Sequence, residues 1–448
     1  MSCIFIFRRD LRSFDNIGFI NALNDNDIVY PVFIFTPEQV TKNDYKSDIS
    51  VEFLTKALEE LNTTLKQKIT ILYGENKPVL TDFIKKNNIK ALYWNEDCTH
   101  YSKNRDSEII KLCEEMSLSY KTHNDYFLND FDSIVSSTKS FYTVFTPYYN
   151  NAKQFKVDKI NDYEIDVNIL KKGKSSYIND KQHYIKNSVE NDQLHHSFKT
   201  LREYALAKLK NIKKFKKYDK IREDVTLPTS RLSAHLKFGT VSIREVFNAF
   251  RTIEPLVRQL YWRDFYSQLM YYLPKKRTIG SSNFKNLQIK WDNNKELKKA
   301  WREGKTGFPF IDAGMRELNT TGYMHNRARM ACSNFYAMIL LQNWKEGEKY
   351  FATKLVDYDV SQNNGNWQWN AGVGVDKSGY LRVFNPFTQS KKHDKDCAYI
   401  KKYVKELESI PAKDIHNWES KHIVYNYHPV VDYKTRRLRA LKLYKNNE

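Results

Sequence analysis

An α/β domain followed by a larger, mainly helical domain is the fold class that this sequence predicts. Three observations carry it. Apolar runs alternate with helical patterns over the first ~120 residues, a polar connecting stretch follows, and from about residue 196 the apolar period becomes helical. The length of 448 residues agrees with more than one domain, because single hydrophobic cores stop growing well below it.

The strand-like runs are CIFIF (3–7), IVYPVFIF (28–35), ITILY (69–73) and IKALYW (89–94). Between them, SVEFLTKALEELNTTL and SKNRDSEIIKLCEEM carry apolar residues at helical spacing. Strands separated by helices make a parallel sheet covered by helices, so residues 1–125 are expected as one Rossmann-like α/β domain. No G-x-G-x-x-G follows the first strand, and the later GVGVDKSG (372–379) has neither that spacing nor a strand before it. A dinucleotide fingerprint is therefore absent. Residues 126–195, rich in Ser, Lys, Asn and Asp around KKGKSSYINDKQ, are expected to connect domains. Residues 196–448 read as the helical domain, with SIREVFNAFRTI, the aromatic-rich VRQLYWRDFYSQLMYYL and ELKKAWREG as clear helices.

Composition narrows the class. A hydrophobic fraction of 41% with 14% aromatics is globular. No run reaches the roughly 18 apolar residues that a spanning helix needs. At the N-terminus the charge of MSCIFIFRRDLRSFDN follows the apolar stretch, the reverse of a signal peptide, and an intracellular protein is expected. Five scattered cysteines with no C-x-x-C pair speak against a disulfide framework and a zinc site, and no metal is expected. The net charge of +20 favours a polyanionic partner, nucleic acid before membrane, although coding bias toward Lys and Asn produces such a balance too. The basic clusters KKFKK (213–217) and KTRRLRALKLYK (434–445), each taken alone, read as solvated faces.

Chemistry gathers in a few segments. On a helix through YMHNRARMACSNFYAMILLQNW (323–344), Asn326, Arg329 and Met330 share one face at i, i+3 and i+4. That face suits contact with a π-system and a polar edge. His325 lies one position off it, with no ligand-spaced partner for a metal. In DYDVSQNNGNWQW, Asp357 is a natural ion-pair partner for Arg329, and Asp359 stands two residues on. Neither has a second acid in a glycosidase arrangement. PTSRLSAHLKFG (228–239) places Thr229, Ser230 and Ser233 around Arg231, with Thr229 or Ser230 expected as an N-cap. Such a helix start also suits phosphate. In GNWQWNAG (365–372), Trp367 and Trp369 would lie about 200° apart on a helix, so they cannot serve one pocket.

These segments, in this order, resemble the photolyase/cryptochrome family. The resemblance begins at FRRDLRSFDN (7–16) and includes FTPYYN (145–150), TSRLS (229–233) and LYWRDFY (260–266). It continues through WREGKTGFPFIDAGMRELNTTGYMHNRARM (301–330) and NNGNWQWNAGVGVDKSGYLRVFNP (363–386). It implies an α/β antenna domain, a long connector and a helical FAD domain. In its repair members, reduced FAD absorbs blue light and passes an electron to a pyrimidine dimer extruded from DNA.

Carried over residue by residue, the resemblance gives Thr229, Ser230, Arg231, Leu232 and Ser233 to a phosphate-binding loop, with Tyr218 upstream. It places Arg263, Asn326, Arg329, Asp357 and Asp359 along a bent flavin, and Asn363 facing flavin N5. A neutral amide there is a poor proton donor, which favours an anionic reduced flavin. Trp262 and Trp369 become aromatic walls of the lesion cavity and Met330 a contact to the base edge, while Trp291, Trp344 and Trp367 become an electron-supply chain. HNRARM, with Asn326 and Met330, differs from the HHLARH of enzymes acting on (6-4) photoproducts. Cyclobutane-dimer repair of UV-damaged DNA is thus the implied activity, in a monomer. The alternative is a cryptochrome-type photoreceptor that keeps FAD and DNA but repairs weakly or not at all. Gln259 motivates it, standing where many repair enzymes have Glu. Tyr323 and Leu256 stand where tryptophans are common. Lys42 and Ser102 depart from a folate site, so a second chromophore of folate or deazaflavin type stays open. Arg222 is the preferred contact to a DNA phosphate.

Overall fold

In the computed structural model, which describes residues 1–179, 200–375 and 381–445, the apolar runs at the start of the chain pair as parallel strands. They are β1 (Ser2–Phe7), β2 (Ile28–Phe35), β3 (Thr70–Tyr73), β4 (Ala91–Asn95) and β5 (Ser119–His123), in the order β3-β2-β1-β4-β5. Residues 3–7 of β1 and all of β4 are buried, as parallel strands covered on both faces must be. The crossover helices Ile17–Asp25, Asp48–Thr64, Asn76–Asn87 and His100–Glu115 supply the cover. β5 was not expected. Its sequence SYKTH is exposed or half-buried throughout, so it carries no apolar signal.

The described residues fall into two compact units: 1–179, 200–213 and 232–272 in the first, and 214–231, 273–375 and 381–445 in the second. They cut across the expected boundaries. The helices Ile243–Phe250 and Glu254–Tyr272, expected in the helical domain, cluster with the sheet. A buried ion network explains this. Arg244 bonds Asp15 at 2.9 Å and Asp125 at 2.7 Å, and Arg12 meets Asp125 at 2.5 Å, with all four side chains almost fully buried. The first of these helices is fixed at its start by a capping box between Ser242 and Glu245. The connector contributes the helix Phe145–Ala152, which packs on Glu254–Tyr272. The expected boundary at 195, the end of KKGKSSYINDKQ and part of GVGVDKSG lie outside the described residues.

In the second unit the core surrounds the helix Pro309–Thr321 with Trp301, Phe335, Tyr336, Phe351 and Trp367. Trp367 approaches so closely that a Cβ on Gly347 would stand 2.4 Å from its ring, which is why only glycine fits there. All five cysteines are buried free thiols. Among the described residues, no helix is long and apolar enough to cross a membrane.

Candidate active site

The helix Asn326–Asn334 begins at His325, whose Nδ1 accepts the Arg327 N–H at 3.1 Å. Burial, helped by Arg327 and Arg329, lowers the His325 pKa to about 4, so the cap is a neutral imidazole. The helix turns Asn326, Arg329 and Met330 into one cavity of about 180 Å³, as the i, i+3, i+4 spacing predicts. Beyond Asn334 it passes into a π-helical turn, Phe335–Ile339, a distortion common near functional sites.

The opposite wall is the helix Val360–Asn370. Asp359 caps it, accepting the Ser361 and Gln362 N–H groups at 3.0 and 3.3 Å, so its carboxylate is spent largely on the backbone. This helix gives Asn363, Asn366, Trp367 and Asn370 to the same cavity. Arg329 pairs with Asp357 at 2.9 Å and donates Nε to the Met324 carbonyl at 2.7 Å. Burial opposes its charge, but Asp357 and the Tyr323 phenol outweigh that and hold Arg329 above its ordinary pKa.

Asn363 Nδ2 donates to Glu348, at 2.9 Å to Oε1 and 3.2 Å to the backbone carbonyl. The amide is thereby oriented, with Oδ1 as its remaining polar atom. Glu348, on the helix Trp344–Lys354, is a residue the sequence reading missed. Burial pushes its carboxyl up to about 7, against the lowering effect of its bonds from Asn363 and Tyr358. Glu348, one of two glutamates in WKEGEKYF, gives no hint of this, because its burial depends on packing against Val360–Asn370.

Trp367 and Trp369 do point apart. Trp367 is buried, with its ring 5.0 Å from Phe351 and 6.1 Å from both Trp301 and Tyr336. Trp369 is half-buried, with the Arg382 guanidinium 4.9 Å from its ring. Arg382 was also missed, since a lone Arg in YLRVF carries no pattern. Trp344 lies in the same core as Trp367, and Trp291 packs against that core. Trp301 thus joins Phe351 and Tyr336 around the Trp367 ring, while Trp291 meets Tyr444 at 6.4 Å.

Around the proposed phosphate loop, the N-cap expectation is corrected. The helix starts at Ser233 with Leu232 as N-cap and no side-chain cap bond, three residues beyond Thr229. Arg231 takes a left-handed φ of +52°, which delays the helix. Arg231 lies 4.7 Å from the Tyr323 ring, and Thr229 meets the Tyr323 hydroxyl at 3.3 Å. Burial and the nearby Tyr323 raise Tyr218 to about 12, which keeps its hydroxyl a neutral donor. Ser230 is half-buried beside them. Arg222 is held by Asp219 at 3.2 Å.

Leu232, Ser233, Gln259, Trp262 and Arg263 belong to the first unit. There Arg263 donates to the Tyr126 carbonyl at 2.6 Å and pairs with Asp264 at 3.2 Å. Gln259 Nε2 turns back to the Pro255 carbonyl at 3.1 Å.

A family model described as DNA photolyase matches residues 3–163, and one described as the FAD binding domain of DNA photolyase matches 256–446. The deoxyribodipyrimidine photo-lyase of Buchnera aphidicola from Acyrthosiphon pisum is 34% identical, over 98% of this chain and 96% of that protein. The chain belongs to the photolyase/cryptochrome family. Among photolyases, the Escherichia coli deoxyribodipyrimidine photo-lyase is 29% identical over 98% of this chain and 97% of its own length. The crystal structure of an archaeal photolyase from Sulfolobus tokodaii, with two FAD molecules, superposes with a TM-score of 0.86 at 37% identity, covering both chains fully. A Synechocystis cryptochrome, at 22% identity and a TM-score of 0.89 over 99% of each chain, shares the fold.

The cavity fits a flavin on its own chemistry. Two of its residues carry buried polar atoms with no protein partner, Trp367 Nε1 and Asn370 Oδ1. A heterocycle with donors and acceptors on its edge satisfies such atoms, whereas an apolar ligand leaves them orphaned.

Proposed function

We propose that this chain repairs cyclobutane pyrimidine dimers in DNA with blue light, using FAD. The observation that carries the proposal is the cavity in which the Arg329–Asp357 pair, the oriented Asn363 amide and Trp367 come together. Reduced FAD, when bound, supplies the light-absorbing electron donor. Everything else is the protein's work.

Arg329, aimed by Asp357, would offer a fixed positive charge to an anionic reduced flavin held in the cavity. Asn363 has its N–H groups committed to Glu348 and presents an acceptor, so it has no proton to give. That supports a reduced flavin held as the anion. Asn326 and Asp359 line the cavity beside them. Thr229, Ser230, Arg231, Leu232 and Ser233, with Tyr218, are assigned to the cofactor phosphates, and Arg263 to the cofactor. Trp291, Trp344 and Trp367 are assigned to electron supply.

For the lesion we assign Asn326, Met330, Trp369, Trp262 and Gln259. Asn326 Nδ2 lies 3.6 Å from Met330 Sδ, so the two present one polar and one polarizable contact side by side. Gln259 both donates and accepts but supplies no charge, so repair should be less efficient than with a carboxylate, and Gln259→Glu should raise the yield. Arg222 is assigned to a DNA phosphate. The basic surface should make affinity for damaged DNA fall steeply with salt.

An anionic second chromophore is supported by the sheet domain. Asp106 bridges Arg8 at 2.7 Å and Arg105 at 3.0 Å, while Arg8 Nη2, Arg105 Nη2 and Trp94 Nε1 are buried without a partner. By function we assign residues 1–125 to an antenna domain, 126–195 to a connector and 196–448 to a catalytic domain, although the helices at 243–272 cluster with the sheet, in a protein acting as a monomer inside the cell.

The test is direct. Purified, reduced protein should clear dimers from UV-irradiated oligonucleotides under blue light and leave them intact in darkness. Flavin-loaded protein that clears none in the light would refute the proposal.

A further inference from the structure

The segment FTPYYN has no role in the site described above, yet its first residue is tightly placed. Phe145 opens the helix Phe145–Ala152 and is 5% exposed. Its ring lies face to face on Trp262, with centroids 3.5 Å apart and planes within 5°. Phe265 meets both rings edge-on, at 5.7 Å in each case. Trp262 itself stays half-buried.

Nearly eclipsed parallel rings are an arrangement that two aromatic quadrupoles avoid when left alone. Here a cation offsets the repulsion. Arg258, one helical turn before Trp262, holds its guanidinium carbon 5.2 Å from the Phe145 ring and 5.2 Å from the Tyr149 ring. Tyr149 is stacked on Phe145 at 5.7 Å and donates its hydroxyl to Glu254 at 2.9 Å. Phe145 thus fixes the plane of Trp262, beside the Tyr266 ring at 5.8 Å, and Arg258 and Tyr149 in turn hold Phe145 in a layered assembly drawn from two helices.

We propose that Phe145 and Arg258 are positioning residues for the damaged pyrimidines. They hold Trp262 as a rigid wall whose exposed surface receives an extruded, unstacked pyrimidine dimer, and so they set the preference for damaged over intact DNA. The proposal rests on the photolyase reading, from which the lesion contact of Trp262 comes. A rigid platform loses no rotamer freedom when a base stacks on it, so its benefit goes to the flipped lesion and not to the phosphate backbone.

The experiment compares Phe145→Leu, Phe145→Tyr and Arg258→Gln with the unaltered protein, all carrying FAD. Binding is measured in darkness to one oligonucleotide with and without a single thymine dimer, and repair is then followed under blue light. Phe145→Leu should bind the dimer-containing strand about tenfold more weakly, the size of a weakened base–aromatic stack, while its affinity for the intact strand and its flavin absorbance hold. Arg258→Gln should lose less, about threefold, and Phe145→Tyr should keep the preference. Equal losses on both strands, or no loss in Phe145→Leu, would overturn the proposal. Dark binding separates it from the activity itself: a preference for dimers without light-dependent repair refutes the photolyase reading, and the Phe145→Leu comparison still decides the role of the stack.

Discussion

Two sets of buried charges behave differently in this molecule. In the sheet unit, Arg12, Arg244, Asp15 and Asp125 close on one another, and Arg244 also bonds the Asp15 backbone carbonyl at 2.6 Å. In the helical unit, Arg329 and Asp357 form a single pair on the wall of a cavity that Asn370 and Trp367 also line, and Asn370 Oδ1 and Trp367 Nε1 have no protein partner. Apart from Arg12 Nε, the network in the sheet unit satisfies its own buried charges and so fastens chain segments together. An open pair with orphaned neighbours marks a place where something else binds.

That contrast can be broken most forcefully at Asp125. Asp125→Ala leaves two buried guanidinium groups short of a partner and should cost about 3–5 kcal/mol of stability, with loss of the sheet unit's cooperative unfolding in a denaturant titration. A loss under 1 kcal/mol would show that the network is not a fastener. Asp357→Asn should do the opposite. Its partner is partly hydrated, so the protein stays folded, and the expected effect is poor flavin retention, read from the visible absorbance after gel filtration.

Glu348 sharpens the comparison through pH. Its folded pKa of about 7 lies above the ordinary carboxyl value of 4.5, so the stability it contributes is full below 4.5 and is lost as pH rises through 7. Relative to Glu348→Gln, the unaltered protein should lose about 3 kcal/mol between these limits, measured as unfolding free energy at a series of pH values. A pH-independent gap would mean that the carboxyl ionises freely. The smallest effects concern the two tryptophans of GNWQWNAG. Trp367→Phe should slow photoreduction of oxidised flavin and spare dimer binding, and Trp369→Phe should do the reverse, with transient absorbance and dark binding as the two readouts.

Much of this was legible in the sequence because it rests on period. CIFIF and IVYPVFIF form buried strands at the expected residues, and the spacing of Asn326, Arg329 and Met330 places them on one wall. What escaped depends on contacts distant in sequence. The pairing of Arg244 with Asp15 and Asp125 moves the helices at 243–272 to the sheet unit, and nothing local to SIREVFNAF announces it. β5 escaped because an exposed edge strand needs no apolar residues. The cap at Thr229 or Ser230 failed because Arg231 adopts a left-handed conformation that its side chain does not reveal. Trp367 and Trp369 were separable by angle alone, but the rings packed around Trp367, those of Phe351, Tyr336 and Trp301, were not legible.

The central claim is that the cavity with the open Arg329–Asp357 pair is the seat of light-driven dimer repair. Its most direct test is a blue-light repair assay on UV-irradiated oligonucleotides with the unaltered protein and Asp357→Asn, each checked for folding by circular dichroism. The account predicts clearance in light and none in darkness for the unaltered protein, and severely reduced clearance for the folded variant. Equal clearance by both, or none by the unaltered protein in light, would contradict it.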